Sequence, residues 1–130
     1  HKVIDLIDSL QKEKVLKLNV YAMVSANPEN LDLYLKKGVY KTDNLDVRSF
    51  KMYGDGALGS RGAAMHKPYS DSHTQLGALI TPIADMKTIA NKIAASNFQL
   101  NSHAIGDSAN TVLLKIPPLE DRACSSSERS

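Results

Sequence analysis

Tryptophan is absent, cysteine occurs once, and aromatic residues make up only 5% of the 130 residues. A lone thiol, Cys124, forms no internal disulfide, which excludes the secreted scaffolds that use crosslinks in place of a core. An excess of one charge is lacking too: 16 basic residues face 14 acidic ones, a formal +2. With no dense basic field to recruit nucleic acid or an anionic membrane, neither is expected as a partner. No apolar run approaches the roughly 20 residues of a membrane span. The chain opens on His1 with no signal-like segment after it, so a cytoplasmic and processed or truncated product is expected. What remains suits one domain of ordinary size, with 42% hydrophobic residues to build a core.

Periodicity divides the chain into alternating helices and strands. Val3, Ile7 and Leu10, with Leu6 beside them, predict an amphipathic helix over residues 2–16. Residues 18–24 are apolar on both parities, which predicts a strand covered on two faces. Asn27 as cap, Pro28 at the first helical position and Gly38 as stop delimit a second helix. Leu45 to Tyr53 is a second strand candidate, running into a loop with four glycines between Gly54 and Gly62. Residues 63–79 show little periodicity and read as an extended excursion. The clearest helix follows, with Thr81 as cap, Pro82 first, and Ile83, Met86, Ile89, Ala90 and Ile93 as its apolar stripe; Asn97 ends it. Phe98 to Ile105 is the third strand, and Asp107 or Ser108 caps a last helix through Leu114.

Three strand–helix units between residues 18 and 114 predict an α/β fold with a parallel sheet. A closed eight-unit barrel needs about 250 residues, so the choice lies between a small doubly wound domain and a slice of a barrel. From Lys115 onward the composition changes to two prolines and a polar, serine-rich run. Residues 115–130 are therefore set apart from 1–114 as an atypical tail, either a disordered terminus or a frame-altered end.

Ionisable residues fall near the ends of the second and third strands. In the third, Gln99, Asn101, His103 and Ile105 share one parity, which is polar for a buried strand, while Phe98, Leu100, Ser102 and Ala104 share the other. In the second, Lys51 shares its parity with Val47, Ser49 and Tyr53. A lysine between Phe50 and Met52 is costly to bury unless it is paired, modified or employed. Lys51 and His103 thus occupy equivalent places and can converge on one site. The plainer readings stand beside this one: strand lysines snorkel to solvent, and strand histidines are often hydrogen-bonded packing residues. Arg61 is a clamp for an anionic group or simply a surface charge. Asp55 and Asp107 each make a turn or cap. His66 and His73 read as solvated. The glycine run lacks both phosphate-cradle patterns, so no nucleotide site is expected.

Two segments carry a family resemblance. Residues 50–65, Phe-Lys-Met-Tyr-Gly-Asp-Gly-Ala-Leu-Gly-Ser-Arg-Gly-Ala-Ala-Met, followed by Pro68-Tyr69, resemble a motif of the amidohydrolase superfamily. The branch is that of the TIM-barrel metal-dependent hydrolases related to N-substituted formamide deformylase. Residues 101–110, Asn-Ser-His-Ala-Ile-Gly-Asp-Ser-Ala-Asn, are similar to the same branch's His-Ala-Ile-Gly-Asp segment. The resemblance implies a fragment of a (β/α)8 barrel, roughly strands three to five, with divalent metal, zinc being expected, at the strand ends. It implies that Lys51 matches a lysine carboxylated by carbon dioxide to bridge metals, and that His103 matches a histidine ligand. Asp107 would then be a turn or orienting residue for His103, and Tyr53, Asp55 and Arg61 would line the substrate pocket. Metal-activated water would hydrolyse C–N bonds of an amide-like small molecule. The family's remaining ligands and its general-base aspartate do not fall on this chain. The isolated chain is accordingly expected to be inactive and to hold no catalytic metal tightly. Two rivals stay open: a Schiff-base aldolase using Lys51 as its amine, and a non-catalytic barrel remnant that self-associates through exposed sheet edges into a homo-oligomer.

Overall fold

In the computed structural model, residues 2–116 are described. The order is α1 (Lys2–Lys12), β1 (Val20–Ser25), α2 (Pro28–Lys37), β2 (Tyr40–Lys41), β3 (Leu45–Tyr53), α3 (Ile83–Ala94), β4 (Gln99–His103) and α4 (Asp107–Leu114). The tail reading of residues 117–130, Cys124 included, lies outside the described residues, as does His1.

The sheet is mixed. β3 lies between β1 and β4, parallel to both, and the two-residue β2 pairs antiparallel with its first half. β2 was not predicted, being too short to show a pattern. The three parallel strands therefore stand side by side in chain order, each followed by a helix. Leu31 and Tyr34 of α2 and Ile93 of α3 all join the cluster built on Val24, Leu45, Val47, Phe50 and Phe98. Leu113 of α4 lines a cleft with Met52 and Leu100, on that same side. Helices thus cover one face of the sheet. A doubly wound domain would carry them on both, so the arrangement departs from that alternative.

The opposite face is open: Tyr21, Met23 and Tyr53 are each 49% exposed. This corrects the expectation that the first strand is covered on two faces. A bulge at Arg48 corrects another. Ala22 pairs with Val47 but Met23 pairs with Ser49, so β3 carries one extra residue. That residue resets the alternation. Val47 consequently packs with Phe50 under the helices, while Ser49, Lys51 and Tyr53 face the open side.

Several boundaries shift for local reasons. The first helix stops at Lys12, not Leu16, because Lys14 turns left-handed at φ 61° and the amides of Val15 and Leu16 both return to the Leu10 carbonyl. Its core contacts are Ile4 and Ile7, whereas Val3 and Leu6 stay exposed. α2 matches its predicted caps, with Asn27 Oδ1 accepting from the Asn30 amide and the Gly38 amide donating to the Tyr34 carbonyl. In α3 the capping position belongs to Pro82, and Thr81 instead donates its hydroxyl to the Tyr53 carbonyl. That helix ends at Ala94 with Ala95 as its cap, short of Asn97. Gly106 occupies the cap position of α4, and Asp107 is its first residue.

Candidate functional site

The site forms where β3 and β4 end together. Pairing aligns Lys51 with Asn101 and Tyr53 with His103, so all four share the open face. Lys51 and His103 are diagonal neighbours, and Tyr53 neighbours both, along β3 and across to β4. The Tyr53 ring centroid lies 5.5 Å from Lys51 Nζ and 5.7 Å from the His103 ring. Both Lys51 and His103 are half-buried, which keeps them accessible but partly stripped of water. One layer down, Tyr21 donates its hydroxyl to Gln99 Oε1 at 3.3 Å, crossing over β3. Ser49 lies on that level of the same face, fully buried, and its Oγ has no partner among the described residues.

Behind His103 sits a carboxylate that composition and spacing did not single out for this place. Asp55 follows β3 by two residues and is fully buried. Its Oδ2 accepts from the Ala64 amide at 2.8 Å and the Gly106 amide at 2.7 Å, and its Oδ1 from the Ile105 amide at 2.9 Å. Oδ1 also stands 3.9 Å from His103 Nε2. Burial alone would raise this carboxyl's pKa. The amides of Ile105, Gly106 and Ala64, with the charge of His103 added, outweigh burial and hold it below the ordinary 3.8.

Glycines permit this close junction. The Gly54 amide donates to the His103 carbonyl at 2.8 Å, and a Cβ on Gly54 would lie 2.8 Å from that same oxygen. At Gly106 a Cβ would fall 1.9 Å from the Ala64 carbonyl oxygen. The long β3–α3 loop is thus laid directly against the β4–α4 turn, and Ser108 donates its amide to Ala64 as well.

Four of the expected site residues, Lys51, Tyr53, Asp55 and His103, come together; two do not. Asp107 does not orient His103, because its Oδ1 accepts from the amides of His66 and Ser108. The carboxylate near the His103 ring is Asp55, which also corrects the expectation that Asp55 lines a pocket. Arg61 sits on the exposed part of the loop in a left-handed turn, φ 56°, paired with Asp71 at 2.9 Å. His66 is exposed, as expected, and its Nε2 lies 3.0 Å from Thr111 Oγ1. Two clefts, of about 300 and 370 Å³, lie away from these residues, one between α2 and α3 and one among Met52, Leu100 and Leu113. Among the described residues no three His, Cys, Asp or Glu side chains gather as a metal cage. No described helix is long and apolar enough to cross a membrane.

No protein-family profile matches the chain. Two solved structures superpose on it closely. One is an uncharacterized metal-dependent hydrolase from Pyrococcus horikoshii OT3, with TM-score 0.79 and 32% identity over 89% of this chain. The other, from Pyrococcus furiosus and described in the same words, gives TM-score 0.80 and 30% identity over 89% of this chain. The chain is similar to one quarter of each. It covers 24% of the first and 25% of the second. Among curated proteins it is 27% identical over 103 residues to Protein LONG AFTER FAR-RED 3 of Arabidopsis thaliana, covering 79% of this chain and 18% of that protein. It is 31% identical over 78 residues to the exoenzymes regulatory protein AepA of Pectobacterium carotovorum subsp. carotovorum, covering 58% of this chain and 16% of that one. The match thus spans less than a fifth of either curated relative.

Proposed function

We propose that this chain supplies about three consecutive βα units of a (β/α)8 barrel in a metal-dependent hydrolase. The complete protein would cleave C–N bonds of amide-like small molecules. The observation that carries the reading is the placement of Lys51 and His103 on one open face, at the C-terminal ends of neighbouring parallel strands. Barrel enzymes keep their reacting groups at that end. Strands adjacent in chain order, with every helix on one side, also suit a barrel wall. The names and close superposition of the two archaeal hydrolases point the same way.

The residues fit a divalent ion as part of its ligand set. His103 offers a ring nitrogen, and a carboxylated Lys51 would offer oxygens in place of an ammonium. A zinc centre takes four donors, or three and a water, so further ligands must come from beyond the described residues. Bound there, the metal would lower the pKa of a water and polarise a carbonyl. The chain's own contribution is positional. β3 and β4 hold the two donors in register, and the Tyr53 ring packs near both.

The test uses the complete protein that carries this segment. With 13C-labelled bicarbonate, a carbamate carbon resonance is expected that Lys51→Ala removes, and bound metal should fall in both Lys51→Ala and His103→Ala. Borohydride trapping of a carbonyl compound on Lys51, with no metal requirement, would establish the Schiff-base alternative instead. The 130-residue chain by itself should not hydrolyse N-acyl or N-formyl substrates with added zinc, and robust turnover would overturn the fragment reading.

A further inference from the structure

We propose that Asp55 is a positioning residue for His103, fixing the histidine's strand end and ring for ligation. The proposal rests on the reading that His103 binds a metal. Asp55 is fully buried and grips three amides from two separate segments, Ala64 in the β3–α3 loop and Ile105 and Gly106 just after β4. Those last two begin two residues beyond His103. The carboxylate therefore sets the path of the backbone that carries the ring, while Gly54 fixes the His103 carbonyl from the other side.

The ring is addressed as well. Asp55 Oδ1 stands 3.9 Å from Nε2, and Tyr53 packs against the ring at 5.7 Å. At 3.9 Å the contact is electrostatic and longer than a hydrogen bond, and a carboxylate on this side of the ring favours the proton on Nε2 and leaves the lone pair on Nδ1. Carboxylate partners of ligating histidines act in this way: they fix tautomer and orientation and raise basicity, and their loss typically lowers metal affinity by about 10- to 100-fold. Asp107, the carboxylate nearer in sequence, is committed to the amides of His66 and Ser108 and is not placed to do this.

The experiment measures affinity for zinc by chelator competition, and the visible absorption of the cobalt-substituted protein, in the complete protein. Asp55→Asn preserves the shape of the side chain and removes its charge. It should weaken zinc binding by about 10- to 100-fold and shift the cobalt bands. Ile93→Ala serves as the comparison, because Ile93 is buried in the core under the helices, away from this loop, so its truncation lowers stability with the bonds of Asp55 intact. If Asp55 acts on His103, Ile93→Ala lowers the melting temperature but leaves zinc affinity and cobalt bands near those of the unmodified protein. Equal losses of affinity in the two variants would overturn the proposal and leave Asp55 as a loop staple. Full affinity in Asp55→Asn, with affinity lost in His103→Ala, would overturn it while sparing the metal reading. Unchanged affinity in His103→Ala would overturn both.

Discussion

Replacing Asp55 by alanine should cost this chain more stability than its one missing carboxylate suggests. Three backbone amides, at 2.7, 2.8 and 2.9 Å, donate to it inside the protein. A hydrogen bond to a charged group contributes roughly 1.5–3 kcal/mol, and a buried amide left without an acceptor costs about 1–3 kcal/mol. Simple addition overstates the loss, because the vacated space admits water and one carboxylate serves all three donors. A loss of about 3–5 kcal/mol is the reasonable expectation for Asp55→Ala. Asp55→Asn keeps one acceptor oxygen but turns an amide group toward backbone donors, so it should lose about 2–4 kcal/mol. The sign of the pH effect follows from the depressed pKa. Above the unfolded carboxyl's value, near 3.9, the bonds contribute in full, and the contribution is lost as pH falls through the lower folded value. Urea unfolding followed by circular dichroism at pH 7 and across pH 5 to 2 measures both quantities. The unmodified chain should lose stability in acid more steeply than Asp55→Asn. A loss below about 1 kcal/mol in Asp55→Ala at pH 7, or parallel acid slopes in the two proteins, would refute the reasoning.

The same junction predicts an order among glycine substitutions: Gly106→Ala and Gly77→Ala, whose Cβ atoms would lie 1.9 and 2.0 Å from carbonyl oxygens, should lower the melting temperature sharply. Gly59→Ala, with nothing within 4 Å, should leave it close to that of the unmodified chain; similar values for all three would refute the packing argument. Phe50→Ala empties the centre of the helix-covered face, where the ring is fully buried at 5.0 Å from Phe98, and should cost about 3–5 kcal/mol in urea unfolding. Ser49→Ala removes a buried hydroxyl with no described partner and should be neutral or stabilising by about 1 kcal/mol, so a clear loss would show that Ser49 has a partner. Sedimentation velocity on the 130-residue chain should show self-association, because Tyr21, Met23 and Tyr53 lie exposed on the open face; a clean monomer would count against it.

The elements were legible where local chemistry decides them. Asn27, Pro28 and Gly38 delimit α2 through bonds made within a few residues. The strand Leu45 to Tyr53 has its predicted bounds because Leu45, Val47, Phe50 and Met52 recur along a stretch framed by turn residues. Where partners from afar decide, the sequence misled. Thr81 has the chemistry of a cap, yet the Tyr53 carbonyl, 28 residues away, takes its hydroxyl. Parity placed Val47 beside Lys51, and the bulge against β1 moved it to the other face. No feature of residues 45–53 alone announces a pairing irregularity whose cause lies in the register with a second strand.

The two aspartates show the same division for the site. Asp55 and Asp107 both follow a strand end, both neighbour glycine, and both lie within a few residues of a candidate ligand. The family resemblance implied Asp107 as a turn residue or the partner of His103. In the fold, β3 and β4 run in register with Tyr53 beside His103, so the residue two places beyond Tyr53 arrives behind the histidine ring. Asp107 has by then entered α4, where its carboxylate meets the amides at the start of that helix and of the neighbouring loop. A parallel sheet therefore pairs functional groups by strand position and not by sequence distance. For this chain, the residues to examine around any ligand on one strand end are those just past the end of the adjacent strand.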